Sequence, residues 1–154
     1  MVDMALHSAL KDELACLEQV VALLKKEQEV LASARIDQLS DITNNKTRLV
    51  AELENFSAVR LALMQTHNIP DDGSAIAGWL ATHAPSSLDL WKTLIDLARQ
   101  AAAYNRSNGQ LLSGREEANR NLMRILLAEQ DAETGYSADG RISHSSTRRP
   151  LDRA

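Results

Sequence analysis

From Leu10 the apolar positions run Leu10, Leu14, Leu17, Val21, Leu24 and Leu31, with Gln28 as one polar lapse. Steps of four and three alternate, which is the seam of a helix packed on another helix. The stretch ASARID (32–37) interrupts the pattern and offers Ser33 or Asp37 as an N-cap. A second seam then runs Leu39, Ile42, Lys46, Leu49, Leu53, Phe56, Arg60 and Leu63. Two long seams joined by a short connection predict an antiparallel helical hairpin. Each arm has about 30 residues, roughly 45 Å at ~1.5 Å per residue.

HNIPDDGS (67–74) ends the hairpin: Pro70 and Gly73 stop a helix, and Ser74 can cap the next. A short helix follows, with Ile76, Trp79 and Leu80 on one apolar face ahead of Pro85. Ser86 or Ser87 then caps a long run from Leu88 to about Gln130. Its seam begins with Trp91, Leu94, Ala98 and Ala101, meets Asn105 and Asn108, and resumes through Leu112, Arg115, Asn119, Leu122 and Leu126. Gly109 and Gly114 lie in the polar middle, where the run can bend. The predicted helices are therefore about 3–32, 36–66, 74–83 and 87–130. An unbroken last helix would measure roughly 65 Å and overhang a ~45 Å hairpin. That overhang points to a partner site near its C-terminal end.

Residues 135–154, GYSADGRISHSSTRRPLDRA, are polar, with four arginines and two aspartates. Burying Tyr136, Ile142 and Leu151 yields roughly 6–9 kcal/mol, while ordering twenty residues costs at least ~1 kcal/mol each. The segment is expected to be a flexible tail, or one ordered by a partner. The chain reads as a helical bundle domain over 1–134 and a tail over 135–154.

Composition supports an all-α fold. Aromatics are 3% of the chain, with only 3 prolines and 6 glycines, so the β-formers and frequent turns of a sheet protein are missing. The expected architecture is an elongated antiparallel hairpin, a short helix and a long C-terminal helix packed as a coiled-coil-like bundle. The net charge of −4 argues against nucleic acid as a partner. A single cysteine, Cys16, allows no internal disulfide and suits a reducing compartment. Acids in MVDMALHSALKDE disfavour a signal peptide, and no apolar run approaches ~18 residues, so no membrane insertion is expected. The reading is of a cytoplasmic protein.

Candidate chemistry is sparse. His7, His67, His83 and His144 do not pair with one another or with Cys16 at metal-ligand spacing, and DDGSA is a turn into a helix and no phosphate cradle. Ser113 has glycines nearby but sits in a helical pattern, not on a nucleophile elbow. No catalytic residue, metal or cofactor is expected. Asn105, Asn108 and Asn119 admit two readings: a polar layer that fixes helix alignment, or a surface that leaves the core for a partner.

NRSNGQLLSGREEANRNLM, followed by GYSADG, resembles the FlgN-type flagellar export chaperones. The residues that carry the resemblance are Asn105, Asn108, Gly109, Leu111, Leu112, Gly114, Asn119, Tyr136 and Gly140. The hairpin is similar too, with Glu27 and Leu31 before its turn and Leu39, Lys46, Leu49 and Leu53 after it. Ser137 departs from the glycine that often follows the tyrosine, and STRRPLDRA matches no family pattern.

The resemblance implies a chaperone that holds the C-terminal helices of the two hook–filament junction proteins (FlgK and FlgL type) and delivers them to the export gate (FlhA type). It places client binding on the C-terminal helix and tail. Leu111, Leu112, Leu122, Met123, Ile125 and Leu126 supply anchors at helix-in-groove spacing. It assigns docking to the gate to Tyr136. A passive coiled-coil scaffold without a secreted client is the alternative. A nucleic-acid binder using RRPLDRA is a more remote one.

Overall fold

The first seam folds as α1, Val2–Ala32, and the second as α2, Leu39–Thr66, joined by a 3-10 turn at Ile36–Gln38. A short α3, Gly73–His83, leads into α4, Pro85–Leu111, and α5, Glu116–Thr134. This computed structural model describes residues 2–33, 35–70, 72–111 and 116–134; for residues 2, 36, 116–119 and 131–134 it describes the backbone alone. Among the described residues all regular structure is helical, as the composition predicts. Leu112, Gly114, Tyr136, Gly140 and the whole tail lie outside the described residues, as does the side chain of Asn119.

Side-chain pairs fix the helix directions. Glu13 meets Arg60 and Glu27 meets Lys46, so α1 and α2 are antiparallel. Ser86 bonds to Asp3 near the start of α1, and Asn108 reaches Leu24 and Glu27 near its end, so α4 runs parallel to α1. Arg124 pairs with Glu54, and Glu129 lies in the field of Glu13 and Arg60, so α5 runs with α2 and back along α4. Four long helices thus form a bundle of two antiparallel hairpins, α1–α2 and α4–α5, laid side by side with α4 parallel to α1 and α5 parallel to α2. Ile76 and Leu80 of α3 join its core beside Leu6, Leu10 and Trp91, at the end where α1 begins.

This corrects the single helix expected over 87–130. Its described residues form two helices, Pro85–Leu111 and Glu116–Thr134, and the second lies back along the first. Gly109 lies in the last turn of α4, and Gly114 is outside the described residues. At ~1.5 Å per residue α4 is about 40 Å long, close to the length of the hairpin, and does not overhang it. Instead the hairpin tip projects past Asn108, with a small core of its own from Val30, Leu39 and Ile42.

The ends follow from local chemistry, and several differ from the expected caps. Asn68 takes a left-handed φ of 55°, Ile69 N–H donates to the Met64 carbonyl at 2.9 Å and Asn68 N–H to that of Gln65 at 3.2 Å. That is a Schellman stop, sealed by burial of Ile69 against Met64. The N-cap of α3 is Asp72, which accepts from Ala75 N–H at 3.1 Å, and not Ser74. Pro85 opens α4 where Ser86 or Ser87 had been expected to cap it; its missing N–H costs nothing in a first turn. Neither Ser33 nor Asp37 caps α2, whose N-cap is Gln38; the Ser33 hydroxyl instead donates back to the Glu29 carbonyl at 2.9 Å.

Candidate functional site

The expected seams are buried with few exceptions among the described residues, and the polar positions Lys46, Arg60 and Asn108 on them are paired. On α2, Lys46 and Arg60 occupy seam positions two heptads apart. On α1 they meet Glu27 and Glu13, which have the same separation. Lys46 Nζ lies 3.1 Å from Glu27 Oε1. Burial pushes the Lys46 ammonium below its usual range, and the neighbouring Glu27 carboxylate pulls the other way. Asn108 completes this layer, its Nδ2 donating to Glu27 Oε1 at 2.9 Å and to the Leu24 carbonyl at 3.0 Å. Of the two readings of the asparagines, Asn108 takes the first: it ties α4 to α1 at one height. Asn105 is also buried, and Gly109 half-buried, on the same helix.

The second polar layer was not foreseen. Arg60 donates to Glu13 through Nε at 2.6 Å and Nη2 at 3.3 Å, and its guanidinium stands 5.5 Å from the Trp91 ring centroid. Glu129 of α5 is buried beside them, 1% exposed, and neither carboxylate oxygen meets a hydrogen-bond donor among the described residues. Desolvation, reinforced by the Glu13 charge and by the hydrogen bond that a protonated Glu129 can give Glu13, and opposed by Arg60, lifts the Glu129 carboxyl well above the usual carboxylate range. One signal was available in the sequence. Glu13 and Glu27 stand three residues after seam leucines, on the face that the helix must bury.

The residues expected to bind a client are divided by the structure. Leu122, Ile125 and Leu126 are core, with Met123 packed against it. They cover the hairpin and cannot present anchors while α5 is seated. Leu111, at the end of α4, is 63% exposed, and Leu127 on the outer side of α5 is 44% exposed. Burying the three aliphatic chains stabilises the seated helix by roughly 6 kcal/mol gross. The enclosed Glu129 and the ordering of α5 work against that gain.

Cys16 is a buried thiol, as its place beside the seam suggests; Sγ contacts the Leu49 carbonyl at 3.6 Å. Burial, with help from Glu52 and Glu13, raises it to about 11. Trp91 is core and Trp79 packs against it, stacking on His83 with centroids 4.6 Å apart. No group of three or more His, Cys, Asp or Glu among the described residues could hold a metal ion. No described helix is long and apolar enough to cross a membrane.

The sequence pattern of the FlgN protein family matches residues 1–144, which takes in both hairpins and the start of the tail. The chain belongs to the FlgN family. It is 26% identical over 148 residues to a flagella synthesis protein FlgN of Yersinia enterocolitica serotype O:8 / biotype 1B, covering 95% of each chain. A second Yersinia enterocolitica FlgN gives the same identity and coverage. No solved structure matches the chain. In this chain Glu27, Lys46 and Asn108 form one buried layer.

Proposed function

We propose that this protein is a cytoplasmic chaperone of flagellar type III export. It binds the C-terminal helices of the hook–filament junction proteins (FlgK and FlgL type), keeps them unassembled and delivers them to the export gate (FlhA type). The observation that carries this reading is the family match along almost the whole chain, with relatives named for flagella synthesis. The fold supports it through α5. This helix has a continuous apolar face of Leu122, Ile125 and Leu126, and it is the last helix laid on the bundle. A client helix of the same character can take the place of α5 or lie beside it, as amphipathic helices do in apolar grooves.

In this reading Leu111 and Leu112, at the α4–α5 junction, make the first contact. Leu122, Met123, Ile125 and Leu126 join once α5 lifts. Tyr136 docks to the gate, since a tyrosine offers a large contact area at low entropic cost. Asn105, Asn108, Gly109, Gly114, Asn119 and Gly140 shape the segment and need not touch a partner.

The test is size-exclusion chromatography of the full chain with and without a C-terminal peptide of a hook–filament junction protein. A defined complex is expected. A constant elution volume at saturating peptide, with a self-association that the peptide does not disturb, would favour a passive scaffold. Tyr136→Ala should then lose binding to the gate's cytoplasmic domain and keep the peptide complex.

A further inference from the structure

The layer formed by Glu13, Arg60 and Glu129 holds two carboxylates against one guanidinium, all of it buried. Arg60 donates to Glu13 through two hydrogen bonds, to the Ser57 hydroxyl at 3.0 Å and to the Met64 sulfur at 3.8 Å. Glu129, arriving on α5, finds no donor among the described residues. Among the described residues the remaining helices supply no second cation. His83 on α3 and Asp89, Lys92, Asp96, Arg99 and Arg106 on α4 are all exposed, and α4 turns Trp91 toward Arg60. Two ionised carboxylates beside one guanidinium leave an uncompensated buried charge, which a protein avoids by holding a proton.

We infer that the seating of α5 on the bundle is coupled to one proton, taken up by the Glu13–Glu129 pair when the helix docks and released to water when it lifts. This does not depend on what the protein binds. The solvent supplies the proton, and the group placed to carry it inside is Glu129, since Glu13 is held by Arg60 through two hydrogen bonds and Glu129 accepts none among the described residues. The sign follows. Seated α5 holds a proton that free α5 gives up above about 4.5, so seating is firm in acid and weakens as pH rises toward the raised value. Each pH unit inside that window multiplies the lifted fraction by up to about tenfold. Lifting exposes Leu122, Ile125 and Leu126 together, because they share the face that Glu129 continues.

Hydrogen exchange of the full chain, followed by helix and corrected for the intrinsic pH dependence of exchange, tests this. In the unaltered chain, α5 opening relative to α1 should rise toward tenfold per pH unit within the window. In Glu129→Gln, which keeps the shape but cannot ionise, the ratio should be flat. Arg124→Gln, on the exposed side of the same helix, should behave as the unaltered chain does. Should Glu129→Gln not fold, Glu129→Leu gives the same readout. A flat ratio in the unaltered chain, or the same slope in the Glu129 variants, overturns the inference; the latter would place the titration on another group.

Discussion

Arg60 of α2 grips Glu13 of α1 with two nitrogens on two oxygens, at 2.6 and 3.3 Å, in a part of the core where neither side chain is more than 3% exposed. A buried pair of this kind is costly to break and cheap to replace whole. The same holds for Lys46 and Glu27 two heptads away.

Lys46→Met should therefore destabilise the bundle by about 3–5 kcal/mol, because it leaves Glu27 buried with only the Asn108 amide. The double variant Lys46→Met with Glu27→Met should recover most of that loss. Urea unfolding of the two singles and the double, read as a cycle, checks it. Additive losses would mean that the pair is not coupled.

Asn108→Ala removes a donor from Glu27 and from the Leu24 carbonyl, both inside the protein. The expected cost is about 1–3 kcal/mol. Asn108→Asp should be worse, since it puts a second carboxylate next to Glu27. Equal stability of all three chains would show that this layer is open to water.

Leu126→Ala and Leu111→Glu should behave as opposites. The first empties a core site and should cost about 2–5 kcal/mol. The second changes a side chain that is 63% exposed and should leave the thermal midpoint within a degree or two of the unaltered chain. If Leu111 is a client contact, Leu111→Glu should still weaken peptide binding at least tenfold.

Cys16 should resist thiol reagents in the native protein through pH 8–9, because its thiol is raised to about 11, and should react at once in denaturant. The folded chain keeps the thiol proton to higher pH than the unfolded chain does. Cys16 therefore makes stability fall between pH 9.0 and about 11. Cys16→Ala should remove that part of the alkaline slope. Rapid native labelling at pH 8 would contradict the buried placement.

Much of the fold was legible because burial repeats at helical spacing. The seams of α1, α2 and α4 are core with few exceptions, and HNIPDDGS ends α2 as expected, though through Asn68 and not through Pro70 and Gly73, the latter opening α3. The break after Leu111 was harder to read. Leu122 and Leu126 continue the phase of Trp91 and Leu94, so periodicity alone joins α4 and α5 into one helix. Both helices face the same core, and a hairpin and a straight helix then give one pattern. Gly109 and Gly114 were the available signs of the fold-back. Serines that looked like caps lost to Asp72 and Pro85 because capping depends on where the backbone turns, which sequence spacing fixes only to within a few residues. Glu129 stands three residues after the seam residue Leu126, as Glu13 and Glu27 follow Leu10 and Leu24, so its phase carries the same signal of burial; which charges it meets there depends on packing from other helices.

The paired charges also govern how the hairpin can change over generations. Its outer faces can drift freely, one residue at a time, with little effect on the fold. Glu13, Arg60, Glu27 and Lys46 cannot drift in that way, since each single step strands a charge in the interior. Among relatives these positions should change two at a time, as exchanged charges or as apolar pairs, and a sequence with only one of a pair altered should carry a second alteration within reach of the stranded group.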